Sequence, residues 1–192
     1  MAVIIDDKPL FFIHIPKTAG TSVSFWLYEN FKAYRWNKHC MGKEIPKNLI
    51  ENKKSFTVVR HPYNRIHSWY YYHLKKLQRT KNKGRLTADN PWIHYKDIGF
   101  ASWVENFFIE RKNGCIDKTQ ESYLLEDTIV LKQESLDTDF KIIQEEFQCF
   151  KSLPRRNVTE SKPNMVQDYS KKAKKIIQDI YHNDFITFKY NF

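Results

Sequence analysis

Three short apolar runs in this 192-residue chain are each followed by a segment of helical period, and this alternation is what most constrains the fold. Residues 10–15 form the first run and stop at Pro16; Val23, Leu27 and Phe31 then mark one face of a helix from Gly20 to about Phe31. Residues 55–60, "SFTVVR", are β-branched and aromatic, and Pro62 suits the first turn of the helix continued by Ile66, Trp69, Tyr70, His73, Leu74 and Leu77. Residues 128–132, "TIVLK", are the third run, before an amphipathic helix marked by Leu136, Phe140, Ile143 and Phe147, with Ser135 or Asp137 as its N-cap. Strands that alternate with helices long enough to cross over predict an α/β fold with a mostly parallel central sheet flanked by helices.

The remaining segments are less regular. Residues 34–53 read as an irregular connection, 100–109 and 119–125 as helical, 152–164 as a polar loop, and 170 to about 182 as the last helix. At this length a single domain covering residues 1–192 is expected, and 41% apolar content with 14 Phe, 11 Tyr and 5 Trp supports a buried core.

A net charge of +10 calls for an anionic partner or reflects a solvated, lysine-rich surface. Cys40, Cys115 and Cys149 are widely spaced without a CxxC, which argues against a disulfide framework or a zinc site. No metal is expected. The opening residues carry Asp6 and Asp7 and no basic leader, and no stretch approaches the roughly 20 apolar residues of a membrane span. A cytoplasmic chain without a transmembrane segment is therefore expected.

In parallel α/β sheets, ligands bind at the carboxyl ends of strands. Two segments occupy that position: Pro16-Lys17-Thr18-Ala19-Gly20-Thr21-Ser22, and the stretch from Arg60 to Ser68. A helix start offers unpaired N–H groups and partial positive charge to an anion. Ala19 and Gly20 permit close backbone approach, Thr18, Thr21 and Ser22 bring hydroxyls, and Lys17 a full charge. The loop is not of the Walker type: Thr21 stands where its lysine would fall and Ile15 where its first glycine would. At the second junction, an arginine fork and the Ser68 hydroxyl, about two helical turns further on, suit one phosphate group. Two anion sites on neighbouring strands imply a ligand with two separated anionic groups.

"FIHIPKTAGTS" and "VVRHPYNRIHS" resemble the 5′-phosphosulfate and 3′-phosphate motifs of sulfotransferases that use PAPS, 3′-phosphoadenosine 5′-phosphosulfate. The branch most like this chain includes the heparan sulfate 2-O-sulfotransferases, the Golgi carbohydrate sulfotransferases and small bacterial relatives. The likeness continues in "KHCMGKEIP", "TQESYLL", "LKQESLDTDF", "LPRRNVT" and the closing "IYHNDFITFKYNF". It implies a three-layer, P-loop-like fold. It also implies that residues 17–22 (Lys17, Thr18, Ala19, Gly20, Thr21 and Ser22) grip the phosphosulfate, and Arg60 and Ser68 the 3′-phosphate.

Sulfuryl transfer from PAPS to an acceptor hydroxyl yields PAP (3′,5′-adenosine bisphosphate) and a sulfate ester. Negative charge develops on the oxygen bridging sulfur and phosphorus, and Lys17, the cation of the loop, is assigned to stabilise it. The resemblance favours His39 as general base, with Glu44 and His94 as alternatives. Arg155, Arg156, Asn157, Thr159 and Lys162 form a loop that would close over the cofactor or lie as ordinary basic surface. The basic run at 75–85, with Trp92 and Tyr95 beyond it, would receive an acidic or carbohydrate acceptor or stay solvated. The competing readings are a P-loop-type nucleotide kinase and a non-catalytic protein binding nucleic acid or PAP. No nucleic-acid partner is expected, since the basic residues gather in loops without regular aromatic interleaving.

Overall fold

The computed structural model describes residues 1–37, 40–84, 93, 98–110, 116, 118–156 and 168–192. Its strands are β1 (Ala2–Ile5), β2 (Leu10–Ile13), β3 (Ala33–Trp36), β4 (Lys54–Val59) and β5 (Ile129–Lys132). The helices are α1 (Gly20–Asn30), α2 (Lys47–Ile50), α3 (Pro62–Asn82), α4 (Phe100–Glu110), α5 (Leu136–Phe147), α6 (Lys171–Ile180) and α7 (His182–Thr187). The chain divides into two compact units, one of Met1–His61 with Thr119–Val158 and one of Pro62–Lys118 with Thr159–Phe192.

The first unit holds a five-stranded open sheet in the order β3-β1-β2-β4-β5. β2, β4 and β5 pair in parallel, whereas β1 is antiparallel to both β2 and β3. Four strands therefore share one direction and β1 alone is reversed. The three inner strands, β1, β2 and β4, are buried along nearly their whole length, which is why residues 10–13 and 55–59 contain no charged side chain, even Ser55 and Thr57 being buried.

Two strands went unread in the sequence. β1 is four residues long, and β3 falls partly within the stretch expected to be irregular. β3 is a four-residue edge strand without an alternating pattern, too short to announce itself; its pairing with β1, from Ala2↔Trp36 to Ile5↔Ala33, is what makes it a strand. Residues 119–125 likewise contain only a one-turn 3-10 helix, Glu121–Tyr123, in place of the expected helical segment.

Aromatic side chains close one face of the sheet. The Trp26 ring of α1 meets Phe140 and Phe147 of α5 edge-on, at centroid separations of 5.0 and 5.9 Å, and Phe147 reaches Phe56 of β4 at 6.2 Å. Such pairs add roughly 0.5–1.5 kcal/mol each beyond the area they bury. The indole N–H of Trp26 donates to the Lys151 carbonyl at 2.8 Å, so its polar edge is satisfied. At the start of α5, Ser135 is the N-cap residue, as expected, but its side chain makes no cap bond. Asp139 Oδ2 accepts from the Lys132 N–H and the Ser135 hydroxyl, each at 2.9 Å, while Asp137 pairs with Arg155.

The second unit is helical. Tyr63, Ile66 and Tyr70 of α3, Trp103 of α4 and Ile177 of α6 are buried in one core. The Tyr169 hydroxyl donates to the Tyr63 carbonyl at 2.7 Å, and the Tyr181 hydroxyl donates to the Ile116 carbonyl. Ser170 caps α6 by accepting the Ala173 N–H at 3.0 Å.

Candidate functional site

The parallel pairing of β2 with β4, which ends at Ile13↔Thr57, brings the two strand-to-helix junctions of the sequence together at the carboxyl ends of these neighbouring strands. From β2 the chain runs through His14, Ile15 and Pro16 into the loop before α1. From β4 it runs into Arg60 and His61.

The first loop is held in an unusual backbone conformation. Lys17 and Ala19 both lie in the left-handed region, at φ +73° and +65°. Neither is glycine, so each costs roughly 1–3 kcal/mol, a strain that proteins concentrate where a ligand is held. Ala19 in the left-handed region followed by helical Gly20 turns successive N–H groups to one side, the concavity that receives anions. Helix geometry leaves the N–H groups of Gly20 and Thr21 without intrahelical acceptors, while those of Ser22 and Val23 turn back to the Ala19 carbonyl at 2.9 and 3.4 Å.

Each side chain of the loop then has its own place. Thr18 is fully buried and its hydroxyl donates to the Ile15 carbonyl at 2.9 Å, so that donor is spent on shaping the loop. Thr21 is exposed at the helix start. Ser22 is buried, and its oxygen accepts the Arg156 N–H at 3.0 Å. The Arg156 guanidinium stacks 3.6 Å over the ring centre of Phe25, which anchors the start of the 152–164 segment to α1. Gly20 has a reason beyond ligand approach: a Cβ there would overlap the His14 imidazole.

Lys17 is half-buried, and its pKa is lowered from 10.5 to about 8. Burial is the larger cause, and the nearby Arg60 cation the second. Arg60 donates from Nη1 to the Lys17 carbonyl at 3.4 Å, so the two cations expected at separate strand ends belong to one site.

Two side chains from distant segments hold the second junction. Gln120 is fully buried; its Oε1 accepts the Arg60 N–H at 2.9 Å and its Nε2 donates to the Arg60 carbonyl at 2.8 Å. Glu134 Oε1 accepts the His61 N–H at 2.9 Å. Neither carried a role in the sequence, because nothing local marks a glutamine that binds 60 residues upstream.

Ser68 is buried on α3 in the second unit, where its neighbour His67 faces Asp168 at 3.4 Å. Glu44 is an exposed residue whose Oε2 accepts the Met41 N–H at 2.7 Å, closing its own turn. His39, His94, Arg85, Trp92, Tyr95, Cys115, Asn157, Thr159 and Lys162 lie outside the described residues. Among the described residues, no three His, Cys, Asp or Glu side chains are arranged to hold a metal, and no helix is long and apolar enough to cross a membrane. A cleft lined by Trp26, Glu29, Asn30, Lys151, Ser152 and Pro154 opens at the far end of α1 and contains none of the site residues.

The family model described as "Sulfotransferase family" matches residues 1–191. Among solved structures, the chain is similar to mouse sulfotransferase SULT7A1 complexed with PAP. The TM-score is 0.56 and the identity 11%, over 93% of this chain and 84% of that one, a likeness of fold. No curated protein matches the sequence.

Proposed function

The chain belongs to the sulfotransferase family, and from that premise we propose that it moves the sulfuryl group of PAPS to a carbohydrate hydroxyl, releasing PAP. The observation that carries the reading is the meeting of Lys17 and Arg60 at the ends of adjacent parallel strands, with the Arg60 guanidinium on the Lys17 carbonyl. That arrangement suits a ligand with one anionic group at the start of α1 and a second beside Arg60.

In this proposal the backbone N–H groups of Ala19, Gly20 and Thr21 hold the 5′-phosphosulfate, with the hydroxyls of Thr21 and Ser22 around it. Thr18 contributes the shape of the loop, its own donor being engaged with Ile15. Arg60 and Ser68 take the 3′-phosphate. The acceptor oxygen bonds to sulfur as the bond from sulfur to the bridging oxygen breaks, and the acceptor proton passes to a base, His39. Lys17 stabilises the charge that gathers on the bridging oxygen, which exceeds the ground-state charge and so lowers the barrier.

The charge distribution supports an acidic carbohydrate as acceptor. The second unit carries 17 of the 32 basic residues and only 9 of the 22 acidic ones. On α3, Lys75, Lys76 and Arg79 are exposed, and Arg79 follows the two lysines by four and three residues, which makes it a neighbour of each on the helix surface.

Thermal unfolding with PAP, AMP, or ATP with Mg2+ tests the cofactor assignment. PAP should raise Tm well above the others; stabilisation by ATP with Mg2+ and not by PAP would refute it. Transfer of labelled sulfate from PAPS to acidic and neutral glycans tests the acceptor, and the neutral glycans should be the poorer substrates.

A further inference from the structure

Arg60 lies one residue beyond the last β4–β5 pair, Val59↔Lys132. Gln120 bonds both of its peptide groups. Its carboxamide accepts from the Arg60 N–H at 2.9 Å and donates to the Arg60 carbonyl at 2.8 Å, as the peptide of a neighbouring strand would. The side chain has no solvent exposure, so each of these bonds has no water to replace it.

Bonding both groups of one residue restricts rotation on either side of its Cα, and this fixes the direction in which the side chain leaves the strand. Glu134 Oε1 holds the next N–H, that of His61, at 2.9 Å, so the peptide linking the two residues is held as well. The outcome is the placement of the Arg60 guanidinium against the Lys17 carbonyl. A charge-assisted fork on a phosphate depends steeply on direction, and a displacement of about 1 Å is enough to impair it.

We propose that Gln120 is a positioning residue that sets the preference for a ligand with a second phosphate, acting through the backbone of Arg60. This rests on the assignment of Arg60 to the 3′-phosphate. A filler glutamine would influence stability alone. A positioning glutamine influences which ligand is chosen.

The test compares wild type, Gln120→Met and Gln120→Glu by calorimetric titration with PAP and with AMP, alongside Tm. Methionine keeps the length of the side chain and removes both bonds. Glutamate keeps the acceptor for the Arg60 N–H and sets a second acceptor against the Arg60 carbonyl. Wild type should bind PAP about 10- to 100-fold more tightly than AMP, the range of one charge-assisted phosphate contact. Gln120→Met should lose most of that margin with AMP affinity changed less than about threefold, and Gln120→Glu should fall between. A full wild-type margin in Gln120→Met overturns the inference, as does an equal loss of affinity for both ligands. If Gln120→Met does not fold, the margin in Gln120→Glu decides by the same criterion. A wild type with no margin overturns the assignment of Arg60 and the inference with it, so the two failures are told apart.

Discussion

Raising the pH from 7 to 9 should weaken PAP binding about tenfold through Lys17 alone. With a pKa of about 8 in the ligand-free protein, Lys17 passes from about one-tenth neutral at pH 7 to about nine-tenths neutral at pH 9. A bound phosphosulfate favours the ammonium form, so binding above pH 8 takes up a proton, and affinity falls by up to tenfold per pH unit. Phosphate groups, with a second pKa near 6, keep nearly the same charge across this range. Tenfold corresponds to about 1.4 kcal/mol. Titration calorimetry at pH 7, 8 and 9, in buffers of different ionisation enthalpy, measures both the affinity and the protons taken up. Uptake should approach one proton at pH 9. Lys17→Arg keeps the charge throughout and should show neither trend. A flat affinity in wild type, or a slope that survives in Lys17→Arg, refutes the reasoning.

The same shift has the opposite sign for stability. The folded pKa lies below the unfolded value of 10.5, so the charged Lys17 opposes folding. The cost is fully present below about pH 8 and is relieved as the pH rises toward 10.5. Lys17→Met should therefore stabilise the ligand-free protein at pH 7 by about 1–2 kcal/mol after allowance for solvent screening, while removing function.

Two further substitutions test the architecture of the loop. Gly20→Ala forces its new methyl against the His14 ring and should cost about 1–3 kcal/mol in urea unfolding; His14→Ala should return most of that loss, and a Gly20→Ala protein as stable as wild type would contradict the packing described. Thr18→Val removes the bond to the Ile15 carbonyl and should cost about 1–3 kcal/mol, by the same amount with and without saturating PAP; a loss confined to the PAP-bound protein would make Thr18 a ligand contact instead.

The elements that position the site were legible because burial on both faces writes itself as uncharged sequence rich in apolar and β-branched residues, as in "LFFI" and "SFTVV". The helices that follow carry period and punctuation, down to Pro62 at the start of α3. What escaped reading depends on contacts between distant residues. β3 is a strand by virtue of β1 beside it. The left-handed backbone at Lys17 and Ala19 carries no glycine to announce it, and is imposed by what surrounds the loop. Gln120 and Glu134 look like ordinary polar residues until the fold sets them against the Arg60–His61 peptide.

The pairing of β4 with β5 has a consequence for the order of events in folding. The hydroxyls of Ser55 and Thr128 meet at 2.6 Å across 73 residues of chain, and the whole first segment of the second unit lies in that interval. Closing so long a loop is entropically costly and slow, whereas the helices between can form on their own in microseconds or less. Gln120 and Glu134 arrive with the same late closure, so the Arg60 junction is among the last parts of the molecule to acquire its shape. Contacts made after the folding barrier act on the rate of unfolding. A ligand seated at that junction would therefore lengthen the lifetime of the native state and leave the speed of refolding almost unchanged.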